Sequence, residues 1–157
     1  MRHVTLCLLV EDEKIILGMK KRGFGAGKYN GFGGKQEGDE TLLQTAVREL
    51  GQETGVDTEE QYLKEVAELT FRFPDKPDWN QIVHVYFVTQ YNSEPKETEE
   101  MRPEWFSRDA IPYEKMWEAD RHWMPQVLEG RYVKGSFVYS AEQTLLDTAI
   151  HCSPLNK

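Results

Sequence analysis

Glu49, Gln52 and Glu53 stand at i, i+3 and i+4 in the stretch RELGQETGV. On a helix that spacing sets the three side chains side by side. Two carboxylates so placed repel, so the pattern implies a positive charge opposite them. A hard divalent cation meets that need: Mg2+ binds oxygen and uses a few carboxylates together with substrate phosphates. Just upstream, Gly33-Gly34 makes a turn whose backbone carbonyls are open to a ligand. Taken alone, an acidic helix face is an ordinary solvated surface.

The residues need a helix to hold them. Thr41-x-x-Gln44 has the form of a capping box, and Leu43, Ala46, Val47 and Leu50 form the apolar stripe behind it. Gly55 fits the position just past the helix end. Strands surround this helix. His3–Val10 and Lys14–Met19 read as strands joined by acidic turn residues, with hairpin spacing. Residues 20–35 form a loop rich in glycine and basic side chains, with one extended piece at Tyr29–Phe32. Val66–Phe73 and Ile82–Thr89 are longer strands around the polar turn PDKPDWNQ. Glu94–Arg102 reads as an acidic loop and Trp105-Phe106 as a short strand. A second helix is expected over Arg121–Leu128, with Pro125 tolerable only near its first turn. Tyr132–Tyr139 and Leu145–Ile150 are the closing strands. The sum is an α+β fold: a mixed β-sheet with flanking helices.

The chain of 157 residues is expected to form a single domain, 1–157, with no linker, repeat or low-complexity tract. Its formal net charge of -8 argues against a broad nucleic-acid surface, which needs clustered Lys and Arg. That charge does not oppose a small phosphorylated ligand bound through a metal. Cys7 and Cys152 are expected to be reduced thiols. The run MRHVTLCLLV is followed at once by acidic residues and does not read as a signal peptide, and no apolar run is long enough to span a membrane. A cytoplasmic monomer without a stable nucleic-acid partner is the expectation.

The spacing resembles the Nudix box. Gly34, five residues, Glu40, seven residues, Arg48-Glu49, Leu50, Gln52-Glu53, Gly55 and Val56 match eight of the nine fixed positions of that pattern. The departure is Gln52, where the family has a Glu. The likeness continues through Thr5, GMKKRGFGAG (Gly18 to Gly27), NGFGGK (Asn30 to Lys35), Phe71, Glu100-Met101-Arg102-Pro103, Trp105-Phe106 and Met116-Trp117. These look like the MutT-type branch that hydrolyses oxidised purine nucleoside triphosphates. The resemblance implies the Nudix α/β/α sandwich and cleavage of a nucleoside triphosphate such as 8-oxo-dGTP to the monophosphate and pyrophosphate. It implies Mg2+ as cofactor, with Mn2+ an alternative.

Roles follow from the resemblance, position by position. The Gly33 carbonyl, Glu49, Gln52, Glu53 and, from a later loop, Glu100 would hold the metal. Glu49, Glu53 and Glu100 are the catalytic acids, with Glu53 the central ligand. Arg48 and Glu40 would form an internal ion pair. Lys20 and Lys35 would reach the phosphates, beside Thr5, Phe32, Gly33 and Gly34. Asn30 and Asp120 would read the base edge, and Trp117, Phe71 and Phe24 would give it faces to stack on. The related enzymes carry two adjacent Asp after the Trp, whose shared protonation admits both 8-oxoguanine and 2-hydroxyadenine. Here the first of them is Ala119. The expectation is that 8-oxo-dGTP is kept and 2-hydroxy-dATP weakened.

Plainer readings stand beside these. Glu100 could be a surface acid, with Glu97 or Glu99 in its place. Trp117 could be core, and Lys20-Lys21-Arg22 a solvated run. His84 and His122 are read as structural, and Trp79, Trp105 and Trp123 carry no assigned role. A second enzyme reading keeps the chemistry and changes the substrate to other purine triphosphates or RNA 5′ ends. A third is a nucleotide-binding module that has lost turnover, with Gln52 as its mark.

Overall fold

The computed structural model describes residues 1–155. Alternation along the first strand, β1 (Arg2–Val10), organises the molecule. Leu6 and Leu8 project to one side of the sheet, Cys7 and Leu9 to the other, and each set enters a different core. β1 therefore lies inside the sheet and is buried on both faces. Its main neighbour is not β2 (Lys14–Lys20), as hairpin spacing suggested, but β5 (Gln81–Val88), which runs parallel to it from Arg2/Gln81 to Leu9/Val88. β1 and β2 pair only at Leu9/Ile16 and Val10/Ile15. Beyond that point β2 peels away, and Gly18 pairs with Asn30 of β3 (Tyr29–Asn30) on one side and Pro103 of β6 (Met101–Ser107) on the other. A side chain at Gly18 would run into Phe32, whose ring would lie only 2.6 Å from an added Cβ.

β4 (Leu63–Arg72) pairs antiparallel with β5 and parallel with β7 (Arg131–Tyr139), and β8 (Leu145–Pro154) closes the edge antiparallel to β7. The order is β3-β2-β1-β5-β4-β7-β8, with β6 on β2. Helix α1 (Leu42–Thr54) covers one face, where Cys7, Leu9, Ile16, Phe32, Ala46, Leu50, Tyr86 and Val88 form a core. Helix α2 (Asp120–Leu128) covers the other, over Leu8, Leu69, Val85, Trp123, Met124, Val127 and Phe137. The result is the expected α/β/α sandwich around a mixed sheet. Among the described residues no helix is long and apolar enough to cross a membrane.

Most strands shift by one to three residues from the sequence reading, β4 most of all since it begins at Leu63 rather than Val66, and four further differences have a physical reason. β6 begins at Met101, inside the stretch read as acidic loop; its Pro103 is tolerated because β6 lies at an edge of the β2 ladder. α2 starts one residue early, at Asp120, so Pro125 falls in its second turn. The carbonyl that loses a partner there belongs to Arg121, which is exposed to water. β8 runs on to Pro154, its polar final residues held by pairing with β7 rather than by burial. In α1, Val47 is only half-buried, and Thr45 and Glu53 turn inward instead. Cys7 and Cys152 are both unpaired thiols.

Candidate active site

The loop from Gly33 to Thr41 and the first turns of α1 are one unit. Thr41 caps the helix: its hydroxyl accepts from Gln44 N at 3.1 Å, and the Gln44 side chain accepts from Thr41 N at 2.9 Å. Gly55 ends the helix in the left-handed region at φ 76°. Between these ends Arg48 reaches back over the loop. Its guanidinium grips both oxygens of Glu40 (2.6 and 2.9 Å) and the Lys35 carbonyl (3.2 Å). The same group donates to Glu49 Oε1 at 2.7 Å and Gln52 Oε1 at 3.3 Å. So Arg48 does more than the single ion pair expected of it. It is the positive charge that lets Glu49 stand beside Glu53. The bond from Arg48 and the guanidinium's charge hold the Glu40 carboxyl down at about 2.

Backbone crowds Gly33, and the Glu49 carboxyl group crowds Gly34. A Cβ on Gly33 would fall 1.7 Å from the Thr5 carbonyl, and one on Gly34 would fall 2.4 Å from the Glu49 carboxyl carbon. Thr5 N and Thr5 Oγ1 donate to the Gly34 carbonyl at 2.9 and 3.3 Å. The Gly33 amide donates to Glu53 Oε1 at 2.8 Å. Glu53 is buried, 6% exposed. Burial pushes its carboxyl up to about 8; the Gly33 amide and Lys20 oppose the rise, and the charges of Glu49 and Glu100 add to it.

Glu100 approaches from the start of β6. Its backbone carbonyl accepts from Lys21 N at 2.9 Å, and its carboxylate lies 3.4 Å from Arg22. Glu97, the stand-in weighed for it, is taken by Lys21 at 2.6 Å and lies outside the cleft lining, whereas Glu99 and Glu100 are in it. Lys21 and Arg22 therefore latch the basic loop to the acidic one rather than merely facing water. Among the described residues no three acidic, His or Cys side chains close into a cage tight enough to hold an ion unaided. The donors still suit a hard cation. They are oxygens, one carboxylate is buried with a single amide partner, and the open side faces the cleft where phosphates would complete the coordination.

A cleft of about 710 Å3 runs from these acids along the α2 side of the sheet. Thr5, Lys20, Phe24, Asn30, Gly33, Gly34, Lys35, Glu49, Gln52, Glu53, Phe71, Glu100, Trp117 and Asp120 all line it. Phe32 does not: its side chain is fully buried in the α1-side core, packed against Gly18. At the far end Trp117 meets Phe24 at 5.1 Å and the edge of Tyr139 at 5.3 Å between ring centres. Asn30 Oδ1 accepts from Gly31 N at 2.9 Å, which leaves its amide hydrogens for a ligand. Asp120 is 4% exposed; Trp123 Nε1 donates to its Oδ1 at 3.0 Å, while Oδ2 is buried without a partner. Burial pushes this carboxyl up to about 7, against the pull of the Trp123 bond and of Lys28.

The sequence reading missed Trp123, which orients Asp120, and Tyr139, Phe73, Leu69, Gln81 and Val83, which wall the cleft. That reading places Gln81 in the polar turn and gives Trp123 no role, and strand pattern alone does not show which stretch of an inward face lacks a helix over it. Away from the cleft, His84 bonds His3 at 2.9 Å, as suits a structural role.

The NUDIX domain profile matches residues 1–127. The chain belongs to the Nudix family. Among curated Nudix relatives, it is 38% identical over 149 residues to the oxidized purine nucleoside triphosphate hydrolase of Mus musculus, covering 95% of this chain and 94% of that protein. The Danio rerio protein of the same name is 41% identical over 146 residues, covering 92% and 90%. Among solved structures, a MutT protein from Bacillus halodurans superposes with a TM-score of 0.83 at 25% identity, over 96% of this chain and 97% of that one. The Nudix box of this chain is thus the loop and α1 unit described above, with Gln52 at its one departure.

Proposed function

We propose that this chain hydrolyses oxidised purine nucleoside triphosphates, 8-oxo-dGTP foremost, to the monophosphate and pyrophosphate, with Mg2+ as its cation. One observation carries the reading. A single cleft has a row of carboxylates at one end and, at the other, an aromatic recess with a buried, unpartnered Asp120 oxygen. The names borne by the mouse and zebrafish relatives support the same substrate class.

Glu53, Glu49, Gln52, Glu100 and the Gly33 carbonyl are the groups that would hold the cation, and Mn2+ would fit the same oxygens. A cation held there would supply Lewis-acid chemistry, drawing charge from the phosphate oxygens so that phosphorus is open to attack. Lys20 and Lys35 hold the phosphate chain by charge. The carboxylates Glu49, Glu53 and Glu100 are the groups in reach to take the proton of the attacking water as its oxygen bonds phosphorus and pyrophosphate leaves. Arg48 holds the Glu49 carboxylate in place through its hydrogen bond to Oε1. Trp117 and Phe24 stack on the base, Asn30 donates to its carbonyl oxygen, and Asp120 Oδ2 accepts from its ring N–H.

The test is pyrophosphate release with Mg2+ from 8-oxo-dGTP, dGTP and 2-hydroxy-dATP, with Glu53→Gln as control. Release from 8-oxo-dGTP ahead of dGTP, lost in Glu53→Gln, is the expected result. Equal release from all purines would keep the hydrolase and discard the preference for oxidised bases. With Ala119 supplying no second carboxylate, 2-hydroxy-dATP should lag, and equal turnover of it and 8-oxo-dGTP would sink that expectation. A competing reading, a binding module without turnover, draws on Gln52, whose neutral amide is already bonded to Arg48. Nucleotide binding without Mg2+-dependent pyrophosphate release would favour it.

A further inference from the structure

Tyr139 is the last residue of β7, fully buried, and part of the cleft wall. Its ring stacks near Phe73 at 5.6 Å and Phe71 at 6.2 Å and meets Trp117 edge-on at 5.3 Å. A phenylalanine would keep all of these contacts, so packing does not account for the hydroxyl. The hydroxyl oxygen accepts from Ala119 N at 2.8 Å. A phenol also carries one hydrogen to donate. Among the described residues that hydrogen has no acceptor.

The bond to Ala119 fixes the hydroxyl one residue from Asp120, at the start of α2. Asp120 is in the complementary condition: Trp123 holds Oδ1, and Oδ2 is buried and unpartnered. The inner end of the cleft therefore presents an uncommitted donor and an uncommitted acceptor, carried at neighbouring positions, both out of water. Buried polar groups are rarely left unpaired, and here both belong to residues that line the cleft.

We propose that the Tyr139 hydroxyl is a specificity-determining donor to the bound base, bonding the exocyclic carbonyl oxygen of a lactam purine whose adjacent ring N–H is taken by Asp120. The inference rests on the nucleotide reading above and deepens it. A carbonyl beside a ring N–H, as in guanine and 8-oxoguanine, satisfies both groups. An adenine-type edge offers an amine beside a bare ring nitrogen, so it sets donor against donor and acceptor against acceptor. Selection for the lactam edge is thereby built into a chain that has Ala119 in place of a second carboxylate.

The experiment measures binding of 8-oxo-dGMP and 8-oxo-dAMP to the full chain by calorimetry, for the unaltered protein and for Tyr139→Phe. The variant should lose about tenfold in affinity for 8-oxo-dGMP, the order of one hydrogen bond. Its affinity for 8-oxo-dAMP should hold. For 8-oxo-dGTP turnover, KM should rise and kcat stay, because the hydroxyl lies at the base end. Equal losses for both ligands, or none, would overturn the proposal and leave Tyr139 as a strap on the Ala119 amide. A second comparison needs no variant: in the unaltered protein 6-thio-dGMP, with sulfur as a weak acceptor, should bind less tightly than dGMP, and equal binding would also overturn the proposal. If the unaltered protein binds neither oxidised monophosphate, the nucleotide reading fails. If it prefers 8-oxo-dGMP and Tyr139→Phe keeps that preference, only the role of Tyr139 fails.

Discussion

Asp120 ties binding and stability to pH in opposite directions. Its carboxyl sits at about 7 because the fold buries it, with the Trp123 indole pulling the other way. With Oδ1 held by Trp123, the proton of the neutral acid would sit on Oδ2 and make it a donor, so the proposed acceptance of a ring N–H there needs the ionised form. Below about 7 the ionised fraction falls about tenfold per pH unit, and affinity for 8-oxo-dGMP should fall with it. Titration calorimetry between pH 5.5 and 8.5 (roughly one and a half decades of that fraction) reads this directly. Asp120→Asn should bind weakly and lose the slope. For folding the sign reverses. The folded carboxyl binds protons more readily than the unfolded one, so the native state loses stability as pH rises through about 7. At pH 8 Asp120→Asn should melt roughly 4 °C or more above the unaltered protein. A variant no more stable than the parent would mean that burying this carboxylate costs the fold little. Gln52 poses the other single-residue question. Gln52→Glu adds a charge beside Glu53 within reach of Arg48, and the Mg2+ concentration giving half-maximal rate should drop several-fold. An unchanged value would put position 52 outside the metal's coordination.

At the scale of elements, the unit formed by the Gly33–Thr41 loop and α1 was legible because its constraints are local. The Thr41/Gln44 box, the Gly55 stop and the fixed run from Gly34 to Val56 all lie within one stretch. The fan of contacts from Arg48 was not legible, since two of its partners, Glu49 and Gln52, were already assigned to a metal. Nor could spacing show that Phe32 turns into the core while Asn30, two residues earlier, lines the cleft: in one unbroken strand the two would share a face, but β3 stops at Asn30 and Phe32 bridges Cys7 instead. Tyr139 and Trp123 were invisible for a related reason. A strand reveals which residues face inward, but only the packing of α2 shows which of those meet a helix and which meet a void. The unit makes its own prediction. Lysine has one ammonium and cannot span Glu40, Glu49, Gln52 and the Lys35 carbonyl at once. Arg48→Lys should lower kcat roughly 10- to 100-fold, as expected when the group orienting a ligand is lost. It should also lower the melting temperature by a few degrees. Activity near the parent's would show that Glu49 holds its place without the guanidinium.

Across the whole molecule, the cleft draws its walls from distant parts of the chain: Val4 and Leu6 of β1, Leu69 and Phe71 of β4, Val83 of β5, Tyr139 of β7 and Asp120 of α2. Both parallel pairs, β1 with β5 and β4 with β7, therefore contribute to the cleft wall. The net charge of -8 surrounds a rim that collects Arg2, Lys20, Arg22 and Lys35. A short polyphosphate finds local cations there, while a long polynucleotide meets repulsion beyond them, so single-stranded RNA should compete poorly with 8-oxo-dGTP in the release assay. A ligand that bridges these strands must stabilise them together. At a hundredfold excess over Kd, 8-oxo-dGMP should add about 2.7 kcal/mol. For a chain of this length that is a rise of roughly 5–10 °C in melting temperature. Hydrogen exchange should slow in β1, β4, β5 and β7 at once, not only in the loops around Gly33 and Glu100. Protection confined to those loops would mean that the ligand is held by its phosphates alone and that the aromatic recess does not receive the base.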